Sequence, residues 1–350
     1  MSGMTRNLFL LYPLVLLVTL HLGGYYLLVV IILNMLVMPG LDLLAAPEPA
    51  VAASRPRAAV APREQTLRAE HGFCLLFLVA LGYGAASVRG LRLDSLEFWL
   101  RTYATGLVGG TLGFVVAHEL IHRRGRLDRC CGVALLTLLN YGHFRVEHVF
   151  GHHANVGLAE DPASARRGQT VYGFYLQSIP GQVRSALAIE TRRLRARGHS
   201  PLSLHNQVLS SWLVSLSLAV GCYGLWGLAG LCFFIAQGLF AVLILETVNY
   251  VEHYGLRRQV RAGRVEKVSA RHAWSTGARW TNRMLLGLGK HADHHLNAAR
   301  PHTQLAHLQA APTLPLGYFA SAFLALIPPL WFAVMDPLVA AQQEVVEHAR

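Results

Sequence analysis

Nine of the 18 histidines in this chain fall in four short stretches, and their spacing points to a metal. His118 and His122 stand four apart in HELIHRR. His148, His152 and His153 form an HxxxHH pattern in EHVFGHH. His253 stands alone in NYVEHYGL, and His291, His294 and His295 form HxxHH. Residues three or four apart share a helix face, so His148 and His152 are expected in one pocket, with His153 reaching it from the side. Neutral imidazole is a common ligand for zinc, iron, copper and nickel, and spacing alone does not choose among them. Nine imidazoles are too many for one ion. A structural zinc site takes four ligands, typically including cysteines, whereas nine suit two ions of four or five ligands each with positions left open. The remaining histidines (His21, His71, His143, His199, His205, His272, His302, His307 and His348) read as structural or solvent-facing. His118 to His122 also fits the zinc-protease pattern H-E-x-x-H literally, but that reading leaves HxxxHH and HxxHH unexplained. Glu119, Glu147, Glu252 and Asp293 adjoin the clusters. Carboxylates so placed hold the second nitrogen of metal-bound histidines; the alternative is local ion pairing with Arg123, Arg124 or Arg145.

The elements that position these residues belong to a membrane. Of 350 residues, 53% are hydrophobic and only 14% charged, against about a quarter charged in soluble domains. The chain cannot cover a soluble surface. Its formal charge of +12 comes from arginines that flank apolar runs, the pattern of cytoplasmic loops facing anionic lipid. No nucleic-acid motif accompanies it. The five cysteines form no CxxC pair, so neither a disulfide framework nor an iron–sulfur centre of the chain's own is expected. The basic start, Met1–Arg6, leads into an apolar stretch too long for a signal-peptide core, and reads as a retained anchor.

Residues 1–46 form a first transmembrane hairpin turning at Gly23-Gly24, with Asn34 in a helix–helix hydrogen bond or, less favoured, lining a cavity. A polar link, 47–70, carries Arg55, Arg57, Arg63 and Arg68. Residues 72–117 form a second hairpin through an interfacial turn, 89–101, and bear a stripe of Gly106, Gly109, Gly110 and Gly113 suited to close helix packing. The stretch 118–203 holds the first two clusters; within it 130–141 is too short for a span, hence re-entrant or buried in the head. A basic helix with Arg192, Arg193, Arg195 and Arg197 follows, a solvated or lipid-facing surface or, less favoured, a dock for an acidic redox partner. Residues 204–250 form a third hairpin turning near Gly221–Gly230. The remainder, 251–350, holds His253, the last cluster and an apolar element, 313–335, that Pro315, Pro328 and Pro329 keep interfacial or partly embedded. The expectation is an all-α integral membrane protein with a single domain over 1–350. About six transmembrane helices form three hairpins, and a His-rich two-metal catalytic head faces the cytoplasm. A metal-binding or transport protein would instead spread ionisable residues through its spans; here the histidines crowd at span ends.

The order HxxxH, HxxxHH, HxxHH between apolar hairpins resembles the membrane fatty acid desaturase/hydroxylase superfamily. NYVEHYGL, EDPASAR at 160–166, HADHHLNAARPHTQL at 291–305 and the stretch LPLGYFASAFLALIPPLWFAVMDPLV look like the alkane 1-monooxygenase family within it. The match runs from about residue 100 onward. The resemblance implies a non-haem di-iron site (two Fe) held by the nine histidines, with dioxygen as oxidant. It also implies electrons from rubredoxin and its reductase, and an alkane or similar apolar substrate entering from lipid. The setting would be the inner membrane, with the site on the cytoplasmic side. Relatives on this scaffold hydroxylate methyl-aromatics of the xylene type, desaturate fatty acids, or decarboxylate them to terminal alkenes.

Overall fold

Where apolar side chains exclude water, each backbone N–H and C=O must find its partner within the segment, so the apolar runs fold as helices. The computed structural model describes residues 7–52, 63–261 and 263–348. Met1–Arg6, Arg55, Arg57 and the side chains of Arg63 and Arg68 lie outside the described residues. In chain order the helices are α1 (Leu8–Leu22), α2 (Gly24–Leu44), α3 (Arg63–Ser87), α4 (Leu96–Ile121), α5 (Arg126–Leu138), α6 (144–155), α7 (Val171–Arg195) and α8 (Gln207–His253). A short antiparallel pair, β1 (Val260–Arg261) and β2 (Arg264–Val265), follows. Then come α9 (Arg279–Met284), α10 (His291–Leu296), α11 (Tyr318–Ala325) and α12 (Pro328–His348).

Among the described residues α2, α3, α4 and α8 are long and apolar enough to cross a membrane, and α11 with α12 makes a fifth if the bent pair counts as one span. The sequence-based number was about six. At 1.5 Å per residue α1 is about 22 Å long, short of the ~30 Å hydrocarbon core, while α8, counted once here, folds back at Gly227 as two legs. Gly23 and Gly24, both at positive φ, turn α1 into α2 as expected. That turn is latched to the start of α4: Arg101 donates to the Leu20 carbonyl at 2.6 Å and Gly24 N–H to Glu97 at 2.8 Å.

The 47 residues of α8 are two helices folded back at Gly227, where φ is +68°, a conformation glycine reaches without steric cost. A Cβ on Gly230 would stand 2.7 Å from the Cys222 carbonyl eight residues earlier, which a straight helix forbids. The two legs clasp the turn after α5. Ser215 donates to the Thr137 carbonyl, Gln237 to that of Leu138, and Asn140 to that of Phe234. The chain therefore runs along α5, turns at Asn140 (φ +59°) between the two legs of α8 and returns through α6. Asn tolerates this left-handed conformation better than other side chains.

The glycine stripe does what its composition suggests. A Cβ on Gly106 would lie 2.7 Å from the Gln237 carbonyl, and one on Gly110 2.7 Å from Cβ of Ile244, so α4 and the second leg of α8 meet backbone to backbone. Gly106→Val is expected to destabilise the protein by about 1–3 kcal/mol or more, read as a lower melting temperature in detergent. Unchanged melting would contradict this packing. At the other end, α11 and α12 are bent by 119° about a short break, and Pro328 opens α12 where its missing N–H costs nothing. Trp331 of α12 is buried against Tyr250 and Tyr254 at ring distances of 5.3 and 5.4 Å, bracing the end of α8 that carries His253. One expectation needs correction. Asn34 donates to the Val30 carbonyl of its own helix at 2.8 Å, not to a neighbouring helix, and it lines an internal cavity. A π turn over Leu33–Val37 places it there.

Candidate metal centre

All nine predicted histidines meet at one end of the helices. His118 and His122 come from the end of α4, His148, His152 and His153 from α6, His253 from the last residue of α8, and His291, His294 and His295 from α10. They divide into two groups, His118, His122, His148, His153 and His294 in one, and His152, His253, His291 and His295 in the other, with the ligand atoms of each group within 4.8 Å of one another.

The division differs from the expectation that His148 and His152 share a pocket. A π turn spans His148–His152, and its i→i+5 hydrogen bonding brings residues five apart together. Nε2 of His153 thus lies 3.1 Å from Nε2 of His148, while His152 points into the other group. On α10 the ordinary i, i+4 relation pairs His291 with His295, Nε2 atoms 3.0 Å apart, and sends His294 across to His153 at 3.1 Å. The groups are neighbours because two pairs of adjacent residues straddle them: the rings of His152 and His153 are 5.9 Å apart and those of His294 and His295 5.8 Å.

The donor set fits cations. One ring nitrogen carries either a hydrogen or a lone pair, never both. Nε2 of His153 faces Nε2 of His148 and of His294, and Nε2 of His291 faces those of His253 and His295. Hydrogen bonds cannot satisfy both contacts at either atom; a central cation satisfies them all. Nε2 of His118 and of His122 are buried without a hydrogen-bond partner among the described residues. Burial first, and neighbouring imidazoles next, hold His148, His153, His291, His294 and His295 well below the ordinary histidine pKa. Burial likewise brings His122 down to about 4. These rings are neutral, as metal ligands must be.

Some second nitrogens have polar neighbours on the far side of the rings. Nδ1 of His291 lies 3.2 Å from the buried Glu252 carboxylate. Nδ1 of His152 lies 3.0 Å from Asp161, which also accepts from the Ser164 hydroxyl at 2.6 Å and the Ala163 N–H at 3.1 Å. Burial pushes the Asp161 carboxyl up, but His152 and Ser164 outweigh it and hold it below its usual range. Sequence reasoning passed over Asp161, although DPAS, an Asp with a Ser three residues on, was its signal. His253 Nδ1 faces the His272 carbonyl at 3.4 Å. Asp293 and Glu119 are engaged elsewhere. Asp293 accepts from Arg300, Asn297 and the Ala306 N–H, folding the following loop back on α10. Glu119 pairs with Arg123 and His302. Glu147 is buried, with burial and then Asp161 raising its pKa well above the ordinary value. Asp161→Ala is expected to lower metal affinity or turnover about 10–100-fold, as is typical when a histidine's second-nitrogen partner is lost. Metal titration of the purified chain checks this; undiminished affinity would refute it.

Glu70, Glu119 and His302 form a third compact group. Arg123 ion-pairs with both carboxylates and lies 3.9 Å from Asp128, so a guanidinium already occupies the centre of this group. Sequence reading had not singled out Glu70.

Fold and centre together define a multi-pass membrane protein with a polyhistidine metal site at the ends of its helices. Residues 94–324 match the fatty acid desaturase family, and the chain belongs to that family. Alkane 1-monooxygenase 1 of Pseudomonas aeruginosa is 44% identical over 237 residues, 67% of this chain and 62% of that protein. Alkane 1-monooxygenase 2 of Alcanivorax borkumensis is 40% identical over 242 residues, 68% and 63% of the two chains. The xylene/toluene monooxygenase hydroxylase component XylM of Pseudomonas putida is 33% identical over 222 residues, 63% and 58%. The chain thus spans a little under two thirds of the length of the curated relatives it matches.

Proposed function

We propose that this chain is a membrane-bound di-iron monooxygenase that hydroxylates the terminal carbon of alkanes. The overall reaction joins alkane, dioxygen and electrons from reduced rubredoxin to give a 1-alkanol and water. The observation that carries the reading is a cavity of about 310 Å³ leading to the histidines. It begins near Tyr103 and Phe240 and ends at His118, His148 and His291, so both histidine groups face it. Along α4 the fifteen positions from Tyr103 to His118 correspond to about 22 Å, a length for an extended chain. Its walls, among them Leu107, Phe114, Val115, Ile244 and Val248, are apolar. They would bind a hydrocarbon by burial alone, exclude water, and hold its end against the metal-facing rings.

The five-histidine and four-histidine groups would each hold one iron, supplying dioxygen activation when loaded. Glu252 and Asp161 would fix the rings of His291 and His152 with Nε2 toward the metal. The arginine-rich link and the basic α7 support a cytoplasmic orientation of this end in the inner membrane. Relatives named as alkane 1-monooxygenases support the substrate class.

Cells carrying this chain with rubredoxin and its reductase, fed octane, a xylene and a fatty acid, should form 1-octanol as the main product. A methylbenzyl alcohol as the main product would favour the methyl-aromatic reading that the xylene/toluene relative raises, and a 1-alkene or an unsaturated acid alone would refute hydroxylation.

A further inference from the structure

A second cleft, of about 680 Å³, lies on the opposite side of α5 from the histidine helix α4, outside the site described above. α5, the ascending segment 142–146 and the first leg of α8 enclose it, and Leu78 of α3 closes its deep end. Its two ends differ in chemistry. At the histidine end of the helices stand Arg126, Arg129 and Arg145 with Gln207 and Ser210. Toward the middle stand Leu138, Val214, Leu218 and Leu78. Val214 and Leu78 are about half exposed, so the cleft opens sideways toward lipid.

The depth matches one leaflet. From Arg126 to Leu138 along α5, or from Gln207 to Leu218 along α8, the rise is about 16–18 Å, against about 15 Å for half of a hydrocarbon core. The charges are uncompensated. None of the residues lining the cleft is acidic, and among the described residues none of the three arginines has an ion-pair partner. Arg129 donates to the Arg124 carbonyl and Arg145 to the Gln207 side chain. The nearby Glu190 is taken by Arg193. A cationic rim above apolar walls of leaflet depth complements an amphiphile with an anionic head. A general excess of arginine on this side would not require the rim and the walls to belong to one cleft.

We propose that this cleft is a specific site for one anionic glycerophospholipid. Its phosphate would lie among Arg126, Arg129 and Arg145, and an acyl chain would run down between α5 and the first leg of α8. Basic pockets between transmembrane helices hold phospholipid headgroups in this way. The lipid would brace the segment that climbs from Asn140 to His148.

The full chain, purified in neutral detergent, is titrated with dipalmitoyl phosphatidylglycerol or dipalmitoyl phosphatidylcholine and examined by native mass spectrometry. One phosphatidylglycerol should be retained per chain, at least fivefold more tightly than phosphatidylcholine. Each guanidinium lost should weaken retention about fivefold, so Arg126→Gln with Arg145→Gln should weaken it by about 25-fold. The pair Arg192→Gln with Arg195→Gln, on α7, should leave it unchanged. A phosphatidylglycerol bearing a photoreactive acyl chain, used on the unsubstituted protein, should label 133–138 or 211–218, which requires no variant to fold. Equal retention of the two lipids, equal weakening by the α7 pair, or labelling spread along all lipid-facing helices would overturn the proposal.

Discussion

Replacing His295 by alanine is expected to reduce product formation by more than about 100-fold and to lower bound metal from about two ions per chain to about one. His295 belongs to the smaller group, and its loss leaves three imidazoles, His152, His253 and His291. It is buried, with Nε2 3.0 Å from that of His291, so neither water nor another side chain replaces it without rearrangement. Loss of a partner one bond further out already costs 10–100-fold, and a direct ligand should exceed that. His122→Ala should be milder, because its group retains four rings. Elemental analysis of both variants beside the unsubstituted chain, with product formation in cells, tests the contrast. Two retained ions and normal turnover in the His295 variant would show that His295 is not a required ligand of the four-histidine group.

Arg123→Met is expected to destabilise the protein by about 3–5 kcal/mol, the usual consequence of removing one partner from a buried ion pair. Arg123, two residues past the end of α4, is 12% exposed and pairs with Glu119 of α4 at 2.9 Å and with the fully buried Glu70 of α3. Asp128, at the start of α5, lies 3.9 Å away. Methionine fills similar volume but leaves these carboxylates without their common cation, with only His302 and His71 still near. The variant should melt at a lower temperature. Glu70→Gln combined with it should recover part of the loss, since one buried charge is then gone. Melting unchanged by Arg123→Met, or no recovery in the double variant, would show that the network contributes nothing.

Eight of the nine histidines could be read from the sequence because their spacing repeats a helical period next to apolar runs; His253, alone in NYVEHYGL, has no such spacing. The glycine stripe and the Gly23-Gly24 turn were legible for similar local reasons. The allotment of histidines to the two groups was not. It depends on a π turn at His148–His152, and no composition rule distinguishes that turn from an ordinary α turn. Asp161 escaped notice because its partner lies nine residues back across a loop, beyond helical spacing. Glu70 and Arg123 meet across 53 residues, and a pairing of that reach is set by packing alone. Asn34 was assigned to a neighbouring helix because a polar residue in a span usually bonds there; its own backbone and the cavity took it instead.

The π turn makes the winding of one segment matter more than its lettering. Between His148 and His153 the intervening Val149 and Phe150 belong to neither histidine group, and Phe150 is half exposed, so they can vary while remaining apolar. The winding cannot. Wound as an ordinary α turn, the same residues would set His152 rather than His153 against His148, exchanging members between the groups without removing a single ligand. Deleting one intervening residue would let an α turn keep His148 and His153 together at i, i+4, so a shortened, plainly α-helical 148–153 should still hold its metal, while a further insertion there should not, and the 196–206 connection between α7 and α8 should tolerate either.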